Sequence, residues 1–333
     1  MSDRINSDTS LFILREIDRN RRDYSPHKEP PDHRELCECF KSTHLPKIKA
    51  FIKANRAIEF ILPAFPAKSP NKNKVLGHLP DMAERISLAF LNDFCQRIKQ
   101  IYTPGAKLTI CSDGRVFGDL IRINDENISA YQAGLRQLIA DRGANSLDLF
   151  NLENFKPFSD CACSFDKMRQ RLINEFSQPV EAIKQQLIAE KGGRQLYCAI
   201  TRFLFEDGLI PGYCGSKSKL QKDSRQRAIQ VIQRSQAWGA LLEHQFPEAI
   251  RLSIHPQPAH SQKIGIHMIP TKDSWLTPWH GVAVEEEGKF VLMKRSEAES
   301  LGGRIVMQDN QQSHYQIDRS ALANQYDLTR RKM

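Results

Sequence analysis

Apolar residues recur along the first half of the chain with alternating helical and strand-like periods. Residues 45–56, 79–102 and 128–140 carry apolar side chains at helical spacing, which predicts three helices. Residues 57–62 and 108–111 are short apolar runs typical of buried strands. This alternation favours an α/β fold with a Rossmann-like, mostly parallel sheet flanked by helices. The sequence contains no G-x-G-x-x-G fingerprint, so a dinucleotide is not implied.

The second half of the chain changes character twice. Residues 163–246 are mostly helical in pattern, and 223–246 predicts one long helix. Strands then return at residues 249–254, 264–269, 281–284, 290–294 and 303–307. The last four of these are joined by short turns, which predicts additional antiparallel strands at the C-terminal end. We expect a mobile N-terminal arm (1–40), in which residues 11–17 suit a short helix. A main domain (41–300) with a helical insertion near 163–246 follows, and then a C-terminal strand and tail (301–333).

Composition places the chain among ordinary globular proteins. It has 333 residues, of which 40% are hydrophobic and 26% charged. No stretch approaches the roughly 20 apolar residues of a membrane span, and the first residues lack the features of a secretory signal. Eight cysteines fit a reducing compartment as free thiols. We therefore expect a cytoplasmic location and no membrane contact.

Neither the cysteine spacing nor the charge pattern indicates a metal or a nucleic acid. The pairs Cys37–Cys39 and Cys161–Cys163 are C-x-C, not the C-x-x-C of zinc ribbons, so no metal site is predicted. The net charge is +9, but the basic residues are spread along the chain rather than gathered in a stripe with aromatic residues. Anionic small molecules, phosphates especially, account for the charge.

Three clusters of polar residues each follow a predicted strand. The first is the loop after 57–62, where Lys68, Ser69, Asn71 and Lys74 lie in a proline-stiffened segment before a helix. Lysines near a helix amino terminus suit a phosphate or carboxylate. The alternative is an ordinary solvated basic loop.

The second cluster is Ser112, Asp113 and Arg115, directly after the strand at 108–111. Charged groups at the carboxyl ends of strands in open α/β sheets are candidates for chemistry. Asp113 is suited to accept a proton and Arg115 to hold an anion through two hydrogen bonds. The alternative is a turn in which Asp113 caps the loop by accepting hydrogen bonds from backbone amides.

In the third cluster Arg251, Ser253 and His255 alternate with apolar residues before Pro256. On a strand these three side chains point to one face. Lys263 and His280 follow and are candidates to complete the pocket, although a solvent-facing or structural role suits Lys263 better than a catalytic one.

Several motifs together carry a family resemblance. The segments concerned are 65–71, 74–81, 112–117, 251–256 and 277–280. With these motifs in this order, over roughly residues 40–300, the chain resembles the PvcA-like isonitrile (isocyanide) synthases of the pyoverdine/dityrosine biosynthesis family.

The resemblance implies a reaction. The amino group of an aromatic L-amino acid, for which we favour L-tyrosine, condenses with the ketone of ribulose 5-phosphate, and cleavage of sugar C–C bonds leaves one carbon on nitrogen as the isonitrile. It implies no metal, flavin or pyridoxal cofactor, and an Fe(II)/2-oxoglutarate-dependent oxygenase downstream in the pathway. L-Tryptophan as substrate and an N-formyl-tyrosine product are alternatives. A sensor that binds a phosphosugar or amino acid without turnover is the non-enzymatic alternative, and a nucleic-acid binder ranks last.

Roles follow from the two anionic substrates and the proton transfers. We expect His255 and His280 to move protons, and Asp113 to share in acid–base work. Asp113 and Arg115 would orient the amino acid or the sugar. The residues expected to contact substrate are Lys68, Ser69, Asn71, Lys74, Ser112, Arg115, Arg251, Ser253 and Lys263. All of this requires that the segments near residues 68, 113 and 255 converge in space around a single cavity.

Overall fold

A computed structural model describes residues 2–23, 35–159, 164–189, 192–210, 212–273 and 275–318 of the chain. The helices are α1 (Ser2–Arg19), α2 (Glu38–Lys53), α3 (Met82–Ile101), α4 (Gly114–Ile121), α5 (Asp125–Asp141), α6 (Lys156–Ser159), α7 (Phe165–Phe176), α8 (Val180–Ala189), α9 (Gly193–Gly208), α10 (Lys217–Gln245) and α11 (Arg295–Ser300). The strands are β1 (Ile58–Ala64), β2 (Ala106–Ser112), β3 (Leu147–Asn151), β4 (Ile250–Ser253), β5 (Lys263–Gly265), β6 (Val282–Glu286), β7 (Lys289–Met293), β8 (Arg304–Gln308) and β9 (Gln311–Ile317).

The central sheet has five parallel strands in the order β3-β2-β1-β4-β5. This confirms the predicted Rossmann-like α/β fold. Strand β1 is largely buried on both faces, as strands of parallel sheets are when helices cover both sides. Because side chains alternate between the two faces of a strand, successive residues pack in hydrophobic clusters on opposite sides of the sheet. Phe60 and Leu62 pack in the cluster formed with α1, α2, α3 and α5, whereas Ile61 packs against Trp238 of α10.

A second sheet is built from C-terminal strands in the order β7-β6-β9-β8. Its β6–β7 and β8–β9 pairs are antiparallel and its β6–β9 pair is parallel. The prediction that residues 264–269 belong with these antiparallel strands is wrong, because β5 pairs in parallel with β4. Helices α7–α10 occupy the region where a helical insertion is predicted. None of the helices within the described ranges is long and apolar enough to cross a membrane.

The N-terminal segment differs from the predicted mobile arm of residues 1–40. Residues 2–19 form α1, and Ile13, Leu14 and Ile17 are buried in the main hydrophobic cluster. The polar composition of the segment conceals this short apolar stripe, which suffices to hold the helix against the core. Residues 24–34 of the arm lie outside the described residues, as do the C-terminal residues 319–333.

Six of the eight cysteines lie within the described residues. The six cysteines within the described ranges are free thiols, and the Sγ atoms of Cys37 and Cys39 lie 3.0 Å apart. Cys161 and Cys163 lie outside the described residues.

The packing of α1 predicts that it contributes to the stability of the whole chain. Leu14→Ala should lower the free energy of unfolding by about 2–5 kcal/mol, because it leaves a cavity in the core. Phe12→Ala is the matched control on the same helix, since Phe12 is 54% exposed, and it should change stability by about 0.5 kcal/mol or less. Urea unfolding measures both. Equal effects of the two substitutions would mean that α1 is not part of the core.

Candidate active site

The three predicted clusters meet at one edge of the parallel sheet. Strands β2, β1 and β4 are neighbours, with Ser112 opposite Ala64 and Arg251 opposite Ile61. Their carboxyl ends therefore lie side by side, where open α/β sheets bind ligands. The loop after β1 also contacts the start of α4 so closely that a Cβ on Gly114 would lie 1.9 Å from the Pro66 carbonyl oxygen.

Asp113 lies between β2 and α4, so the predicted loop is in fact a strand end followed by a helix. The carboxylate does not cap this helix, so the alternative of a capping aspartate is wrong. Its Oδ1 atom is buried and has no hydrogen-bond partner within the described part of the chain. Burial raises the pKa of Asp113 to about 7. Both protonation states are therefore populated near neutral pH, which is the condition for efficient general acid–base catalysis.

His255 lies two residues after the end of β4. Its backbone amide donates to Ser253 Oγ (3.1 Å), and its ring lies 5.4 Å from that of Trp275. The side chain reaches solvent, yet the surrounding protein lowers its pKa to about 4, and the charges of Arg22 and His280 lower it further in the same direction. The imidazole is therefore neutral at pH 7 and available as a proton acceptor.

His280 lies in the short turn Pro278–His280 and has a partner on each ring nitrogen. Nε2 lies 3.3 Å from Asp207 Oδ2, and Nδ1 lies 3.0 Å from Thr277 Oγ1. Lys74 Nζ donates to the other carboxylate oxygen of Asp207 at 2.6 Å. Burial alone would raise the pKa of Asp207, but its interactions with His280 and Lys74 lower it to about 2. Asp207 therefore links the loop after β1 to the His280 turn from the end of α9.

Lys68 is enclosed rather than presented to a ligand. Its ammonium lies 2.7 Å from Asp81 Oδ2 and 2.7 Å from Glu84 Oε2, and it donates to the carbonyl of Pro278 (3.1 Å). Burial raises the pKa of Glu84 to about 8, against the opposing effect of the Lys68 charge, and Tyr131 donates to the same carboxylate (3.0 Å). The expectation that Lys68 contacts phosphate is not met, because carboxylates and a carbonyl surround its ammonium.

Three further predicted residues hold the backbone of this loop. Ser69 Oγ accepts from the Asn71 amide (3.2 Å), and Asn71 Nδ2 donates to the carbonyls of Glu206 (3.0 Å) and Leu209 (3.3 Å). Ser112 Oγ donates to the Phe65 carbonyl (2.8 Å). Ser69, Asn71 and Ser112 therefore stabilise this loop through internal hydrogen bonds, and their contacts with substrate stay predictions.

Arg115 turns away from the strand ends. It is buried, pairs with Asp125 (2.9 Å) and Glu153 (3.4 Å), and lies 3.6 Å from the centroid of the Phe165 ring. Because residue 115 is in the first turn of α4 and not in a loop, its side chain packs between helices. The prediction that Arg115 orients a substrate is corrected accordingly.

Arg251 and Lys263 place two cations side by side. They are partners in the β4–β5 register, and Glu243 lies 3.3 Å from Arg251. Burial lowers the pKa of Arg251, while burial and the neighbouring Arg251 charge lower that of Lys263. Ser253, on the same face, accepts from the His255 amide and from Gln257 Nε2 (3.3 Å). Mutually repelling cations favour an anion between them.

The loop after β1 also lines a cavity of about 670 Å³. Lys72, His78, Arg122 and Arg295 supply positive charge to its wall. Lys68 and Ser69 also line it, whereas Asp113, His255 and His280 do not, so the lining of this cavity does not include all three predicted clusters. Among the described residues, no group of three or more histidines, cysteines or carboxylates is placed to hold a metal ion.

This arrangement defines an α/β protein with acid–base groups at the strand ends, and known proteins resemble it closely. The family described as pyoverdine/dityrosine biosynthesis protein matches residues 48–306. An L-tyrosine isonitrile synthase of Pseudomonas aeruginosa is 56% identical over 305 residues, covering 92% of this chain and 93% of that protein. An L-tryptophan isonitrile synthase of Fischerella ambigua is 46% identical over 303 residues, covering 91% and 93%. The crystal structure of PvcA from Pseudomonas aeruginosa aligns with a TM-score of 0.85 and 55% identity, covering 93% of this chain and 99% of that chain.

The chain therefore belongs to the pyoverdine/dityrosine biosynthesis family, and it is an enzyme of the class that these relatives represent.

The enclosure of Lys68 predicts a structural effect of its removal. Lys68→Met should lower the free energy of unfolding by about 3–5 kcal/mol, because it leaves buried carboxylates without their cation. Lys72→Met, an exposed lysine of the same loop, should change it by about 0.5 kcal/mol or less. Urea unfolding at pH 7 tests both. A stable Lys68→Met protein with a raised KM for a phosphosugar would restore the sequence-based role of Lys68 in phosphate binding.

Proposed function

We propose that this enzyme is an isonitrile synthase that converts the amino group of an aromatic L-amino acid, by preference L-tyrosine, using ribulose 5-phosphate as the one-carbon donor. The observation that carries the proposal is the 56% identity to an L-tyrosine isonitrile synthase over nearly the full length of both chains. The tryptophan enzyme is less similar, at 46% identity, which supports tyrosine over tryptophan. L-Tryptophan as substrate and an N-formyl-tyrosine product are the alternatives.

The acid–base groups suit the first step of such a reaction. When an amine condenses with a ketone, nitrogen loses its protons and the carbonyl oxygen leaves as water, so both a base and an acid are needed. We assign these transfers to Asp113, whose pKa is about 7, and to the neutral imidazole of His255. Each well-placed group contributes on the order of 10²–10⁴-fold. His280 has partners on both nitrogens, so its proton transfer requires one of those partners to be exchanged for substrate.

The proposal also requires that no lysine of the protein form the imine. Lys68 is enclosed by Asp81 and Glu84, and Lys74 is paired with Asp207, so neither amine is presented as a nucleophile. The substrate amine then attacks the ketone directly.

The phosphate of the sugar needs cationic side chains whose charge is not already neutralised by carboxylates of the protein. We assign its phosphate to the adjacent pair Arg251 and Lys263, with Ser253 on the same face as a hydroxyl partner. The downstream Fe(II)/2-oxoglutarate-dependent oxygenase, the absence of a cofactor and the cytoplasmic location remain predictions.

The reaction itself is tested with isotopes. The purified chain is incubated with ¹⁵N-labelled L-tyrosine and uniformly ¹³C-labelled ribulose 5-phosphate, and products are analysed by mass spectrometry. We expect a product that retains ¹⁵N and gains one ¹³C, with kcat/KM for tyrosine at least about tenfold above that for tryptophan. A product heavier by one water would indicate the formyl compound, and a shift in melting temperature without product would indicate a binding protein.

The acid–base assignment predicts a loss of turnover without a loss of fold. Asp113→Asn and His255→Gln should each lower kcat by about 10²–10⁴-fold. His260→Gln is the control, because His260 is an exposed histidine of the loop that follows His255, and it should leave kcat unchanged. Steady-state kinetics and circular dichroism are measured together. Near-wild-type turnover by a folded Asp113→Asn or His255→Gln enzyme would remove that residue from the mechanism.

A further inference from the structure

The residues that follow α1 form main-chain contacts with the segments on either side of His255. Arg21 forms an antiparallel bridge with Ile266, and the His267 amide donates to the Asn20 carbonyl (3.1 Å). The Arg22 amide donates to the Gly265 carbonyl (2.8 Å), and the Gln257 amide donates to the Arg22 carbonyl (3.2 Å). This short segment therefore joins the edge of β5 to the turn after β4. It precedes residue 48, where the family match begins.

We propose that Arg22 is a positioning residue of the candidate active site, because its guanidinium holds the stretch of main chain that presents His255. Arg22 is buried, and its Nη1 atom donates to the Ile254 carbonyl at 2.6 Å, one residue before the histidine. The inference rests on the role proposed above for His255.

The backbones of the two segments approach each other as closely as a glycine permits. A Cβ on Gly265 would lie 2.2 Å from the Arg22 carbonyl oxygen and 2.8 Å from that of His255. Any larger residue at position 265 would force these segments apart. The contact between the Arg22 segment and the His255 turn is therefore a close approach of main chain rather than a loose surface contact.

The charge of Arg22 has a second effect on the same imidazole. The charged groups that act on His255 are Arg22, from the segment after α1, and His280, from the turn before β6. Arg22 interacts in turn with Asp273, while burial lowers its own pKa. Burying a guanidinium is costly, and a neutral donor would satisfy one carbonyl as well. The positive charge has a further consequence that a neutral donor lacks, because it adds to the effect of burial in lowering the pKa of His255.

The sign of this effect can be measured. Removing the positive charge favours the imidazolium form, so the pKa of His255 should rise by about one unit from its value of about 4. Arg22→Lys keeps the charge but loses the planar guanidinium, so the midpoint should stay within a few tenths of a unit. The two substitutions separate the charge of Arg22 from its hydrogen bond.

The experiment uses the full chain with Arg22→Met, Arg22→Gln and Arg22→Lys, and Arg15→Met as control. Arg15 is an exposed arginine of α1, so its loss should change nothing. His255 is titrated by NMR on ¹³C-labelled histidine, with its signal assigned by its loss in His255→Gln. kcat and KM are measured at pH 7, where misplacement of His255 should lower kcat in the neutral variants by about tenfold or more while the control stays at the wild-type value.

A neutral variant that folds, with an unchanged His255 midpoint and unchanged kcat, overturns the proposal. If Arg22→Lys shifts the midpoint as far as Arg22→Gln, the lost guanidinium contact to the Ile254 carbonyl and not the lost charge is the cause, which supports the positioning role. Two neutral variants are included so that a folding defect in one does not remove the test. The titration needs no turnover, so a chain that makes no isonitrile would contradict the proposed function while leaving the midpoint shift to test Arg22.

Discussion

The buried ammonium of Lys68 is the interaction on which the site depends. A single cation pairs with the carboxylate of Asp81, contacts the carboxyl group of Glu84 at the start of α3, and donates to the carbonyl of Pro278. It thereby ties the loop after β1 to a helix on one side and to the turn that carries His280 on the other. An ion pair this deeply buried is stable only when every partner is in place, so the three segments are fixed together. The turn that carries His280 is thereby held beside the loop after β1.

Much of the fold follows from local pattern. The apolar runs of β1 and β2 and the long apolar stripe of α3 predict these elements correctly. A strand or helix that is buried on a regular face carries apolar residues at a regular spacing in the sequence. Strands β3 and β9 are missed, since polar residues interrupt the first and dominate the second. The N-terminal helix is predicted only over 11–17 and not as part of the core, because a few apolar residues in a polar segment are buried only when they contact a core that is distant in sequence.

Site residues can be predicted from the sequence where a titratable side chain directly follows an apolar strand. Asp113 and His255 are found because they directly follow apolar strands that turn out to be neighbours. Lys68 and Arg115 are misassigned because the sequence shows a charge but not the opposite charge that surrounds it in three dimensions. Asp207 is missed altogether. It lies within an ordinary helix, and its partners on the loop after β1 and the His280 turn are far away in the sequence.

The link between α9 and the loop after β1 has a consequence for building hybrids of these enzymes. Asn71 binds two carbonyls at the end of α9, and Lys74 binds the carboxylate of Asp207. The helical region is therefore not a module that can be exchanged by itself. A chimaera that takes α7–α10 from a relative needs the matching residues 68–74 and 277–280 from the same parent, because the junction is a set of interlocking polar contacts and not a smooth apolar seam.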